Sequence, residues 1–139
     1  MNTREFGRLG EAAAVKYLTD AGYHIIGTNV YVGHEEIDII AEDGGYIVFV
    51  EVKTRRMTPD TRGVYGSPAE AVNAAKQRHL ISAAEKYISE NTSEKYPRID
   101  VTEVYCDPAS GSFSVTEIRH FENAVRKKSK FAGKSVYGT

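Results

Sequence analysis

A chain of 139 residues with 41% hydrophobic and 27% charged side chains is composed for one folded domain and not for a disordered segment. Its single cysteine, Cys106, excludes an intramolecular disulfide and any zinc site built from several thiolates. The net charge of -1 argues weakly against a polyanionic partner, but it hides an uneven distribution: residues 34–43 hold five acids (Glu35, Glu36, Asp38, Glu42, Asp43) and no Lys or Arg, and residues 119–139 hold six bases against Glu122 alone.

In chain order, residues 4–21 read as a helix, with Phe6, Leu9, Ala13, Tyr17 and Ala21 at three- and four-residue spacing and Gly22 as its stop. Residues 23–32 read as a strand with an irregularity near Gly27, 36–41 as a second strand and 46–53 as a third. Glu42-Asp43-Gly44-Gly45 between the last two supplies a tight reversal, so they form an antiparallel hairpin, apolar on both faces and therefore covered. Residues 54–66 form a loop with Arg55, Arg56 and Arg62. Ser67, Pro68 and Glu70 then give a cap, a first-turn proline and a capping box for a helix running to about Ser89. Its stripe is Val72, Ala75, Leu80, Ala83, Ala84, Tyr87 and Ile88. Two strands follow at 99–105 and 113–119, then a short helical turn near Glu122–Arg126 and a basic tail over 127–139. Cys106, at the end of an apolar run, reads as a buried, inert thiol. Tyr17, Tyr46, Tyr87 and Phe49 fall on core periodicities, which leaves Tyr65 for stacking on a base.

No segment approaches the ~18 apolar residues of a membrane span, and the start lacks a signal-peptide block, so no membrane partner is expected and the cytoplasm is the expected compartment. The order αβββαββ predicts an α/β fold in which two helices cover opposite faces of one mixed five-stranded sheet.

The hairpin places acids where a cation would need them. In the third strand Phe49, Glu51 and Lys53 share one face. If Gly44 and Gly45 alone form the loop, Asp43 pairs with Tyr46 and Asp38 falls opposite Glu51. If all four residues form it, Asp38 faces Phe49 and Glu51 lies on the diagonal. Both registers keep the two carboxylates within roughly 4.5–8 Å on one face, and a three-residue loop would separate them. Two carboxylates in an apolar sheet repel each other and lose hydration, and a divalent cation resolves both costs. Hard oxygen donors point to Mg²⁺ or Mn²⁺, with the Val52 backbone carbonyl as a further ligand. Lys53 could offset charge on a scissile phosphate or orient the attacking water. The alternative is a solvated sheet end where Lys53 and Arg55 neutralise the acids. Glu11, flanking an apolar stripe of the first helix, needs a partner, and the metal is one candidate. Lys76 interrupts the inward stripe of the second helix, where it either snorkels outward or reaches a phosphate or Glu51. Arg55, Arg56 and Arg62 suit phosphate oxygens, against a reading as a solvated loop. Phosphate-binding GxxxxGK[ST] loops, HExxH and nucleophile-elbow motifs are all missing.

With these residues in place, EEIDIIAEDGGYIVFVEVKTR, the preceding GEAAAVKYLTDAGYHIIGTN and the later GSPAEAVNAAKQRHLISAAEKYI resemble the YraN-like family, UPF0102. That family is similar in turn to archaeal Holliday junction resolvases and the restriction-endonuclease-like PD-(D/E)xK superfamily. The resemblance covers about Phe6 to Val125 and implies a restriction-endonuclease-like domain over residues 1–126. It implies Glu11 as the helix-one glutamate, Asp38 and Glu51 as metal ligands, Lys53 as the catalytic lysine and Lys76 as the basic residue of the following helix. The family pattern reads Gly-Glu-Ile-Asp at the second strand, and Glu35 stands here at the glycine position, where an extra charge would crowd the backbone or alter approach to the metal.

The expected function is metal-dependent hydrolysis of phosphodiester bonds in DNA, branched DNA included. Two other classes remain open: a non-catalytic nucleic-acid-binding module that retained the fold, and a protein-interaction domain. A homodimer would suit the two-fold symmetry of junctions and duplexes.

Overall fold

The computed structural model describes residues 1–57 and 72–127. Its elements are α1 (Thr3–Asp20), β1 (His24–Val32), β2 (Glu35–Asp43), β3 (Tyr46–Arg55), α2 (Ala74–Asn91), β4 (Tyr96–Cys106) and β5 (Val115–Val125). They form one five-stranded sheet in the order β1-β2-β3-β4-β5. The β3–β4 pair is parallel and the other three pairs are antiparallel. A parallel pair needs a long crossover, and α2 lies on it. This is the α/β, restriction-endonuclease-like arrangement expected from the sequence.

The two helices cover opposite faces. Leu80, Ala83 and Ala84 of α2 pack with Ile40, Ile47, Phe49, Ile99 and Val101. Ala14 and Leu18 of α1 pack with Ile39, Ala41, Val48, Val50, Val104 and the buried thiol of Cys106. Burial pushes that thiol's pKa up, although Arg56 pulls the other way, so it stays unreactive. Alternating side chains along β2, β3 and β4 feed the two cores.

Several expectations are corrected. The buried stripe of α1 is Gly10, Ala14 and Leu18, whereas Leu9, Tyr17 and Ala21 are exposed. Small side chains let α1 approach the sheet. A Cβ on Gly10 would stand 1.8 Å from Thr54 Oγ1, so only glycine fits. Tyr46 is also exposed, at the end of the hairpin. The described second helix starts at Ala74, and the expected start at Ser67, Pro68 and Glu70 lies outside the described residues. Val72 precedes it, and Asn73 is extended (φ -64°, ψ 163°) and caps it by accepting the Lys76 N–H at 2.8 Å. Residues 122–125 continue β5 and do not form a helical turn. Tyr65 and residues 128–139 of the basic tail lie outside the described residues.

Candidate metal centre

The β2–β3 hairpin takes the tighter of the two registers, Asp43 opposite Tyr46 around Gly44-Gly45, with Gly44 at φ 58°. The ladder ends at Ile39↔Val50, one step short of Asp38 and Glu51. There the strands part, and Ile37 packs on the α2 side with Ile40 instead of following Ile39 to the other face. Asp38 bridges the opening: its Oδ2 accepts the Val52 N–H at 2.8 Å.

Glu51 is only 5% exposed. Burial first, and then the hydrogen bond and charge of Asp38, push its pKa from 4.5 to about 8, while Lys76 and Lys53 pull it down. At neutral pH Glu51 therefore keeps its proton, beside Asp38. Glu11, on α1, feels the same field. Its pKa is raised by burial and by the charges of Asp38 and Glu36, with Asn29 partly compensating. Glu11 Oε1 is buried and has no hydrogen-bond partner among the described residues. Asn29 holds φ 51° within β1 and lines, with Arg8, Glu11, Ala12, Val15 and Thr28, a cleft of about 410 Å³.

Lys76 reaches in from the first turn of α2. Its ammonium stands 3.9 Å from Glu51 Oε2 and donates to Glu35 Oε1, whose other oxygen lies 3.7 Å from His79 Nδ1. Burial alone would lower the Lys76 pKa. The bond to Glu35 and the charges of Glu51, Glu35 and Asp38 outweigh it and hold the ammonium above its usual range. Lys53 lies half-buried two residues beyond Glu51 on the same face. Beside it in the sheet is a residue sequence reading missed. Glu103 of β4 pairs in register with Lys53, is 1% exposed and accepts the Tyr105 hydroxyl at 2.8 Å. Val101, Glu103 and Tyr105 alternate along one strand face, as Phe49, Glu51 and Lys53 do, but that alternation does not say which strand lies alongside.

Two adjacent carboxylates and a third, buried carboxylate oxygen form a donor set that suits a hard cation. Among the described residues, no three His, Cys, Asp or Glu side chains converge as a metal cluster.

The model of Uncharacterised protein family UPF0102 matches residues 10–104, more than half of the chain. The chain belongs to this family. The match spans Glu11, Asp38, Glu51, Lys53, Lys76 and Glu103. A UPF0102 protein of Symbiobacterium thermophilum is 50% identical over 107 residues, covering 76% of this chain and 86% of that protein. One of Caldicellulosiruptor bescii is 42% identical over 126 residues, covering 89% and 99%. One of Dehalococcoides mccartyi is 45% identical over 104 residues, covering 74% and 82%.

The arginines assigned to nucleic acid from the sequence divide. In this UPF0102 chain Arg55 is half-buried at the end of β3. Arg56 lies over the Phe6 ring, 4.5 Å from its centroid, and that ring packs edge-on against Phe113. Arg62 lies outside the described residues. No described helix is long and apolar enough to cross a membrane.

Proposed function

We propose that this UPF0102 chain is a divalent-metal-dependent hydrolase of phosphodiester bonds in nucleic acid, with branched DNA as its favoured substrate. The observation that carries the reading is buried Glu51 beside half-buried Asp38, its pKa pushed up to about 8, where a cation would take the place of its proton. Asp38 and Glu51 would hold Mg²⁺ or Mn²⁺, with Glu11 and the Val52 carbonyl as further candidates. The ion would polarise a phosphoryl oxygen and lower the pKa of a bound water.

The chain's own residues supply the rest. Val52 N–H fixes Asp38 by occupying one of its oxygens. Lys53 and Lys76 flank Glu51 with positive charge and are placed to offset charge that grows on the scissile phosphate. Glu103 stands beside Lys53 in the sheet and is placed to orient it. The restriction-endonuclease-like fold supports the same reading. Cleavage of flapped, nicked or four-way-junction DNA in Mg²⁺ or Mn²⁺, abolished by Asp38→Ala, is the expected result. Absence of cleavage on all three substrates across salt and pH would overturn it.

One observation favours a second reading, a nucleic-acid-binding module without turnover: Glu35 already occupies the Lys76 ammonium. Salt-dependent DNA binding with no Mn²⁺ bound at Asp38 and Glu51 would select it.

A further inference from the structure

Beyond the carboxylate pair, the face of α2 that looks toward the β1–β2 turn carries a row of donors. Lys76, His79, Ser82 and Lys86 recur at spacings of three, three and four, which keeps them on one side of a helix. Their contacts show the same side. Lys76 and His79 both meet Glu35. His79, Ser82, Ala83 and Lys86 line a cavity of about 260 Å³ whose opposite wall is Val32, His34 and Glu35. The Lys86 ammonium reaches across to the turn and lies 3.8 Å from where a Cβ on Gly33 would stand. His79, Ser82 and Lys86 are exposed, and Ala83 and Val32 give the cavity a buried apolar floor.

We propose that this groove is a track for the phosphodiester backbone of a nucleic-acid strand as it leaves the candidate metal centre. The proposal rests on the functional reading above and adds a direction of approach. From Lys76 to Lys86 the helix rises about 15 Å, the axial rise of about four nucleotides of one duplex strand. The row starts at the ammonium that faces Glu51, so a strand whose phosphate sits at the carboxylate pair would meet His79, Ser82 and Lys86 in succession. Ammonium, imidazole and hydroxyl donors contact phosphate oxygens without reading bases. Glu35 is the one acid among the cavity's lining residues, and it sits on Lys76 and His79. A strand must take both donors from it, so Glu35 lowers affinity for polyanions and sets a threshold for binding.

The test is binding of labelled single-stranded DNA, duplex DNA and single-stranded RNA to the full chain, in EDTA so that nothing is cut, over a range of salt. Lys86→Glu is expected to weaken binding by about tenfold or more, and Lys86→Ala to reduce the slope of log K against log salt by about one. Glu35→Gln should tighten binding several-fold and steepen the slope. Lys16→Ala serves as the control: Lys16 is exposed on α1 and paired with Asp20 at 2.8 Å, and its loss should change neither quantity. Thermal melts confirm that each variant is folded. Binding that is insensitive to Lys86 and Glu35 overturns the track, even if the protein cuts DNA. Binding that depends on them without cleavage in Mg²⁺ or Mn²⁺ overturns the hydrolase reading and leaves the track standing. No binding to any of the three nucleic acids overturns the track, and the hydrolase reading then stands or falls on its own cleavage test.

Discussion

At the residue scale the chemistry turns on Glu51. Its folded pKa of about 8 lies above the 4.5 of the free side chain. Between those values the folded protein keeps a proton that the unfolded chain releases, so raising the pH favours unfolding across that window. Metal-free protein should therefore lose melting temperature steadily from about pH 4.5 to 8, and Glu51→Gln should flatten the profile over that range. Mn²⁺ replaces the proton, so its affinity should rise with pH over the same window, and calorimetry in buffers of different ionisation enthalpy should detect proton release. Asp38→Ala should abolish Mn²⁺ binding but only narrow the pH window, because burial is the largest cause of the Glu51 shift. Asp38 and Glu51 were legible in sequence as neighbours because a Gly-Gly turn fixes the register of their strands, although alternation does not foresee the parting of β2 and β3 at Asp38. Glu103 was not: nothing local says that β4 lies beside β3 in parallel, which is what sets it against Lys53.

Element by element, the helices show where hydrophobic periodicity misleads. Leu9 and Tyr17 weigh more than Gly10 and Ala14 in any apolar stripe, yet the small residues face the sheet. Close approach is limited by bulk, and α1 meets β3 where it has none. Gly10→Ala should consequently cost about 1–3 kcal/mol in urea unfolding, in spite of alanine's better helix propensity, because Thr54 has to move. For the described α2 the capping residue is Asn73. Asn73→Ala should remove about 1 kcal/mol of stability by freeing the Lys76 N–H, while Asn73→Asp should be tolerated. Because Lys76 sits in that first turn, fraying there should also weaken polyanion binding, which fluorescence anisotropy would report.

Over the whole molecule, a second polar network fixes the sheet at a distance from the carboxylate pair. Asp100 is fully buried and accepts from Arg98 Nε at 3.0 Å and Nη2 at 2.9 Å, from the Asn123 N–H at 2.9 Å, and pairs with His120 Nε2 at 2.8 Å. His120 Nδ1 meets Thr102 Oγ1 at 2.7 Å, and Arg98 donates to the Tyr23 hydroxyl at 2.8 Å. Burial would raise the Asp100 pKa, but the bonds from His120, Arg98 and the Asn123 amide overcome it and hold the carboxyl below its usual value. A depressed carboxylate stabilises the fold above its unfolded pKa and loses that contribution as pH falls through the folded one, so this network should fail only in strong acid. Arg98→Ala leaves Asp100 buried without its main counter-charge, and chemical denaturation should show a loss of about 3–5 kcal/mol. The network ties β4 and β5 to Tyr23 at the entry to β1.

By itself the sequence determined the element order, the hairpin that makes its acids neighbours, and the family. These depend on alternation, turn chemistry and local spacing, which act over a few residues. Tertiary structure alone decided that β2 and β3 part at Asp38, that small residues carry the α1 contact, that Glu35 holds Lys76, and that Glu103 flanks Lys53. Each of those depends on which distant segments lie side by side, and such contacts follow from packing of the whole chain and not from any local pattern.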